Sequence, residues 1–186
     1  MAFPQLDVSD SVLVVVDLQT RLMQAMDPDA AQATVDNAVR LIRGAGLLDI
    51  PVLATEQYPR GLGPSAPEIS EAMGQGNSPL EKVEFSCLKA PGFLQALQPL
   101  GRKTLILCGV EAHICVYQTA LDGVASGYNT VVAADAICSR RSENRALAID
   151  SMRQAGAFIN PTESILFEWL GRAGGDAFKE ISRMLR

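Results

Sequence analysis

Three side chains that could act together in nucleophilic catalysis stand beside the ends of predicted strands. Asp17 ends the apolar run "SVLVVVD", Lys82 lies within "PLEKVEFS", and Cys115 lies just after "KTLILCG" at the predicted start of a helix. A carboxylate can take the proton of a thiol and return it to a leaving group. A nearby ammonium and a helix N-terminus both favour the reactive thiolate. An aspartate, a lysine and a cysteine together could therefore supply a base, a cationic partner and a nucleophile.

Each of these residues also has a purely structural explanation. An aspartate after a strand often serves a turn, a lysine is often a solvated surface charge, and a buried cysteine often packs as a small apolar residue. We predict that the other three cysteines, Cys87, Cys108 and Cys138, pack as small apolar residues. Ligands in open α/β sheets collect at the carboxyl ends of the strands. The placement of Asp17, Lys82 and Cys115 at three such ends favours a shared site.

The elements that must position these residues alternate between strand and helix. Continuous β-branched runs such as "SVLVVVD" are typical of parallel strands covered on both faces. We predict one doubly wound α/β domain over residues 1–186, with a mainly parallel six-stranded sheet and helices on both faces. The predicted strands are 11–17, 51–55, 79–86, 103–109, 129–135 and 157–160. The predicted helices are 29–46, 91–101, 113–127, 142–156, 162–171 and 176–186, with Ser142 as an N-cap. Residues 56–78, rich in Pro, Gly and Ser, are predicted to form a loop at the site.

The composition excludes several classes of partner. The formal charge of −5 over 186 residues argues against nucleic acid and anionic membranes, which require clustered Lys and Arg. No apolar run is long enough to span a bilayer, and "MAFPQLDVSD" lacks the features of a signal peptide. Four scattered cysteines without a C-x-x-C pair do not indicate a disulfide framework. We therefore expect a cytoplasmic protein.

Several familiar catalytic sites are also excluded. The single histidine, His113, is not accompanied by a G-x-S-x-G elbow, and its grouping with Cys108 and Cys115 lacks usual zinc-ligand spacing. No Gly-rich turn follows the first strand, so nucleotide binding is a poor interpretation.

The segments "VVVDLQ", "EKVEFSC" and "CGVEAHICV" resemble the isochorismatase-like cysteine hydrolases, which include nicotinamidase, N-carbamoylsarcosine amidase and ureidoacrylate amidohydrolase. The resemblance implies Asp17 as the general base, Lys82 as the cationic partner and Cys115 as the nucleophile. It also implies a cis peptide between Val110 and Glu111. The backbone N–H groups of Glu111 and Cys115 would then form an oxyanion hole.

Departures from the family narrow the expected activity. Nicotinamidases carry an Asp and several His residues after the second strand to bind a metal, whereas "TEQYPRGLG" contains no histidine. We therefore predict neither a metal nor a cofactor, as in the metal-free isochorismatase-domain hydrolases. True isochorismatases cleave a vinyl ether and lack the cysteine nucleophile, so Cys115 argues against that reaction. His113 is not expected to be the base; it either lines the pocket or caps, packs or contacts a subunit.

The function expected is hydrolysis of a small amide or ureide C–N bond through a thioester-type intermediate. Gln19, Tyr58 and Phe85 are predicted to line the substrate pocket, because they lie close to the motifs. Two alternatives stay open: ether hydrolysis of the isochorismatase type, and a non-catalytic sensor built on a reactive thiol. The apolar segments "ILFEWL" and "FKEISRMLR", together with the habit of the family, predict a homo-oligomer.

Overall fold

The computed structural model describes residues 5–74 and 76–186. Residues 1–4, part of the segment used to predict the absence of a signal peptide, lie outside the described residues. So does Gln75, which belongs to the predicted loop 56–78.

The described residues form a six-stranded sheet with the order β3-β2-β1-β4-β5-β6, and every described pairing is parallel. The sheet confirms the predicted fold class. β1 and β4 are buried along their whole lengths, as their apolar sequences predict. Because the strand order reverses between them, their carboxyl ends border the crevice where ligands bind in such sheets. The strands are β1 Ser11–Val16, β2 Val52–Gln57, β3 Leu80–Lys82, β4 Thr104–Gly109, β5 Asn129–Ile137 and β6 Phe158–Asn160.

Helices cover both faces of the sheet. The helices are α1 Thr20–Met23, α2 Pro28–Leu47, α3 Pro59–Leu62, α4 Pro67–Met73, α5 Pro91–Leu97, α6 Tyr117–Ala125, α7 Ser142–Gln154, α8 Thr162–Leu170 and α9 Gly175–Met184. Helices α2, α4, α8 and α9 enclose one apolar core with the sheet, and α5, α6 and α7 enclose the other.

Three local predictions are wrong. The connection 56–78 is not a simple loop: it contains α3 and α4, each of which begins at a proline, a residue well suited to the first helical position. Ser142 is the first residue of α7 rather than its N-cap, which is Arg141. Cys115 does not lie in the first turn of α6, because a π-helical turn, Ala112–Val116, precedes that helix.

Helices α8 and α9 pack apolar residues into the protein core. Leu166, Trp169 and Ile181 are buried in the core shared with α2. A Cβ at Gly44 of α2 would lie 2.3 Å from Leu166, so this glycine allows the two helices to approach closely. Most of the apolar surface that predicted an oligomer from these helices is therefore covered, whereas Phe167 of α8 stays 39% exposed. Within the described residues, no helix is both long and apolar enough to cross a membrane.

Candidate active site

Asp17 lies directly after β1 and is anchored through both of its carboxylate oxygens. It is fully buried and has a φ of 49°, a left-handed conformation that aspartate tolerates better than most residues. Thr55 donates a hydrogen bond of 2.7 Å to Oδ1, and Lys82 Nζ lies 2.6 Å from Oδ2. The carboxylate is therefore held in one orientation at the carboxyl end of the central strands.

The Lys82 ammonium ends β3 and has a full set of acceptors. Besides Asp17, it donates to Oε1 of Gln57 at 2.7 Å and to the carbonyl oxygens of Glu84 at 3.2 Å and Phe85 at 3.3 Å. Neither side chain of the Lys82–Asp17 pair is exposed. A buried ion pair is tolerated only when its remaining hydrogen-bonding groups are satisfied, and these contacts meet that condition.

Cys115 is placed beside this ion pair, and its surroundings raise the pKa of its thiol. Burial raises the pKa of Cys115 most, and the negative charge of Asp17 and a hydrogen bond with it raise the pKa further. The Lys82 ammonium lowers it, although by less than burial raises it. Lys82 therefore favours the thiolate, as predicted. Only 6% of Cys115 is exposed, and the desolvation of a charged sulfur exceeds the effect of Lys82.

The turn between β4 and Cys115 depends on a glycine. Gly109 has a φ of 121°, and a Cβ there would lie 2.0 Å from the carbonyl oxygen of Val16. The next peptide, Val110–Glu111, is cis, as the resemblance implied. Arg140 holds the carboxylate of Glu111. Its backbone N–H donates to Oε2 at 3.0 Å, and its Nε donates to Oε1 at 3.1 Å.

Gln19, predicted to line the substrate pocket, uses its side chain in backbone contacts. Gln19 is fully buried, and its amide donates to the carbonyl oxygens of Gln57 at 3.1 Å and Gly63 at 2.6 Å. Its Oε1 accepts the backbone N–H of Gln57 at 2.7 Å. The amide thus ties the β1–α1 turn to the end of β2, and its polar atoms are occupied by backbone groups.

Tyr58 and Phe85 lie at the surface near Lys82. They are 55% and 52% exposed, and Val83 between β3 and Phe85 is 69% exposed. Tyr58, Lys82 and Val83 line a cavity of about 370 Å³. These side chains form an apolar rim, defined here as Tyr58, Val83 and Phe85, next to the buried ion pair.

His113 contacts residues on the Glu111 side of the turn. Its Nδ1 lies 2.9 Å from Oγ of Ser139 and 4.0 Å from Oε2 of Glu111. It also borders a hollow of about 230 Å³ together with Tyr117 and Leu147.

Sequence reasoning missed three residues of the site. Thr55 binds Asp17, Gln57 binds Lys82, and Cys87 is a second buried thiol whose Sγ lies 3.7 Å from Oγ1 of Thr55. A signal for the first two was present: polar residues end the apolar segment "PVLATEQ", which runs parallel beside β1. Nothing in the sequence singles out Cys87.

One larger cavity lies apart from this arrangement. A cavity of about 640 Å³ lies between α2 and the β5–α7 connection, and Thr34, Cys138 and Arg140 line it. Asp17, Lys82 and Cys115 are not among its lining residues. In residues 5–74 and 76–186, no group of three or more His, Cys, Asp or Glu side chains is arranged to hold a metal ion.

Comparison with known proteins assigns the chain to a family. The model of the isochorismatase domain matches residues 11–164. Isochorismatase domain-containing protein 2 from Danio rerio is 36% identical over 184 residues, which cover 97% of this chain and 89% of the relative. The structure of MAR1 ribonuclease from Caenorhabditis elegans superposes with a TM-score of 0.90 at 32% identity, covering 98% of this chain and 92% of the other.

Two YcaC structures are similar as well. YcaC from Pseudomonas aeruginosa, solved with hexane-2,5-diol and covalent acrylamide, has a TM-score of 0.89 at 25% identity over 99% of this chain and 93% of its own. YcaC from Escherichia coli, an octameric hydrolase of unknown specificity, has a TM-score of 0.90 over 99% of this chain and 92% of its own. At 24% identity, that likeness shows the fold alone. From the match of the domain model and the identity to its relatives, the chain belongs to the isochorismatase-like hydrolase family.

Proposed function

We propose that the protein hydrolyses a small amide or ureide C–N bond through a thioester formed on Cys115. The observation that carries the proposal is the buried Lys82–Asp17 ion pair, 2.6 Å long, beside the thiol of Cys115. A nucleophile, a base and a cation that holds the base are the parts that acyl transfer by a cysteine requires.

In the first step, Asp17 accepts the thiol proton while the sulfur attacks the substrate carbonyl carbon. The C–S bond forms, and the π electrons of the carbonyl move to oxygen. The backbone N–H groups of Glu111 and Cys115 donate to this oxyanion, and one such donor is worth about 3–4 kcal/mol in the transition state. The raised pKa of Cys115 fits this order of events, because the thiol loses its proton to a positioned base during attack.

In the following steps, the proton held by Asp17 moves to the leaving nitrogen as the C–N bond breaks. A water molecule, deprotonated by Asp17, then attacks the thioester carbonyl and releases the acid and the thiol. Lys82 keeps the carboxylate in place throughout, since its Nζ is fixed by four oxygen atoms.

Three observations support a small substrate rather than a polymer. Cys115 is only 6% exposed, so the reacting group must enter a narrow opening. The net charge of −5 disfavours RNA, although one relative is called a ribonuclease. The covalent acrylamide in YcaC from Pseudomonas aeruginosa shows that a protein of this fold reacts with a small amide-bearing electrophile.

We also propose a homo-oligomer, now on a different surface from that predicted. The apolar rim of Tyr58, Val83 and Phe85 is more than half exposed at each residue, and such patches commonly mark protein contacts. The octameric E. coli neighbour has the same fold, which fits this proposal.

The proposed activity is tested with a panel of small amides and ureides, measuring release of ammonia or amine. The wild type is compared with Cys115→Ala and with Cys108→Ala, a matched control at a buried thiol of β4. Loss of the nucleophile should reduce turnover by at least about a thousandfold, whereas the control should retain it. Turnover retained in Cys115→Ala would refute Cys115 as the nucleophile. A labelled Cys115 with no turnover of any panel member would favour the sensor.

A further inference from the structure

Thr55 joins the candidate base to the second buried thiol. It lies in β2, pairs in register with Val16, and is 1% exposed. Its Oγ1 lies 2.7 Å from Oδ1 of Asp17 and 3.7 Å from Sγ of Cys87. The backbone N–H of Cys87 is bound in turn by Oγ1 of Thr119 at 3.0 Å, which fixes the position of the thiol.

The direction of each hydrogen bond between Asp17, Thr55 and Cys87 follows from the number of hydrogens that each group can donate. A threonine hydroxyl has one hydrogen to donate, and the ion-paired carboxylate of Asp17 can only accept. The Thr55 hydrogen therefore points at Asp17, and the S–H of Cys87 must be the donor to Thr55. Burial raises the pKa of Cys87, so this thiol keeps the hydrogen that it donates.

Thr55 and Lys82 together restrict the carboxylate. Each donates to a different oxygen of Asp17, so rotation of the carboxylate about its last torsion would break one short hydrogen bond. That torsion is otherwise broad for an aspartate. A base that takes a proton from Cys115 and later returns it must keep one oxygen aligned with the reacting atoms.

We propose that Thr55 is a positioning residue for Asp17, and that Cys87 sets the direction of the Thr55 hydroxyl. The inference rests on the proposed function, since it deepens the role of the same site. It also gives Cys87 a task distinct from that of Cys115: Cys87 orients a hydroxyl and does not attack substrate.

The experiment measures the rate at which acrylamide labels Cys115, by peptide mass, between about pH 5 and pH 9. Thr55→Val removes the hydroxyl at nearly constant volume and should slow labelling at neutral pH by about tenfold. Thr55→Ser keeps the hydroxyl and should label within about threefold of the wild type.

The matched control is Thr104→Val at the opposite end of the sheet. Thr104 is also 1% exposed and donates to a carboxylate, that of Asp10, at 3.0 Å. Its replacement should leave the labelling profile of Cys115 unchanged even where it lowers the melting temperature.

Several results would overturn the proposal. A folded Thr55→Val variant with the wild-type labelling rate would do so, as would a Thr55→Ser variant as slow as Thr55→Val. Cys87→Ala gives an independent measurement should Thr55→Val not fold: we expect labelling slowed by about two- to fivefold. An unchanged profile in Cys87→Ala removes the proposed role of that thiol. Failure of the proposed function is separate, because it would appear as wild-type turnover in Cys115→Ala.

Discussion

Replacing Asp17 with Asn should change how the reactivity of Cys115 depends on pH. In the wild type, the thiol proton passes to Asp17 inside the site, so no proton is exchanged with solvent. The population of thiolate paired with a protonated carboxyl is then independent of pH as long as the two groups share one proton. In Asp17→Asn the proton can leave only to solvent, and the thiolate fraction rises tenfold with each pH unit below the thiol pKa.

The size of the effect follows from what surrounds the sulfur. The substitution removes two causes that raise the pKa of Cys115, the charge of Asp17 and its hydrogen bond, while burial and Lys82 stay. Because burial still raises the pKa of the thiol, Cys115 in the variant stays below its pKa from pH 7 to 9, and its thiolate fraction grows about tenfold with each of these two pH units. Between pH 7 and 9, labelling of Asp17→Asn should therefore increase by about a hundredfold, and wild-type labelling by less than about threefold.

The assay is the rate of iodoacetamide labelling of the Cys115 peptide, followed by mass spectrometry at a series of pH values. Cys108, fully buried in β4, serves as an internal reference, because it labels only when the protein opens. Circular dichroism confirms that the variant is folded. Equal slopes for the two proteins would refute the transfer of the proton from Cys115 to Asp17.

Four other results are expected. Lys82→Met leaves Asp17 buried without its cation and should lower the free energy of unfolding by about 3–5 kcal/mol in urea titrations at neutral pH, a loss below about 1 kcal/mol contradicting the argument. Burial raises the pKa of Cys108 from 9.0 to about 12, so its contribution to stability is complete below about pH 9 and declines as pH rises toward 12. Cys108→Ala should therefore make the alkaline fall in unfolding free energy shallower by about 1.4 kcal/mol per pH unit, and an identical slope would show that this thiol does not titrate on unfolding. Prolonged chelation should leave turnover of any substrate unchanged, and stoichiometric zinc or iron in the purified protein would overturn that expectation. Light scattering at micromolar concentration should give an oligomeric mass that Val83→Asp reduces, whereas a monomeric wild type would refute the oligomer.

The sequence predicted the fold well because long apolar strands carry their own signal. β1 and β4 are runs of residues that suit a strand buried on both faces, and their order with the helices fixes a parallel sheet. The short helices α3 and α4 were missed, since four to seven residues show too little periodicity against a background of Pro and Gly. The π-helical turn at Cys115 was missed because one extra residue in a turn leaves no pattern in composition.

The sequence placed Asp17 and Lys82 at one end of the sheet, where the structure pairs them, but it did not predict the electrostatics around Cys115. Asp17, Lys82 and Cys115 could be found because they follow strand ends, and strand ends meet at one edge. The ionisation of the thiol could not be found, because it depends on how deeply the sulfur is buried, which local sequence does not state. For the same reason Gln19, a polar residue near the motif, was assigned to the pocket although the fold encloses it.

Gly109 limits how this fold can be engineered. The hydrogen of its Cα faces the backbone of Val16, and a single added methyl group would have to push β1 and β4 apart. Asp17 continues from one of these strands and Cys115 from the other, so the push would widen the gap across which the proton must travel. Replacement of glycines by alanine is a common route to more stable proteins. At Gly109 an alanine is not tolerated, because β1 and β4 can pair this closely only when residue 109 has no Cβ. The same close pairing sets the spacing of Asp17 and Cys115.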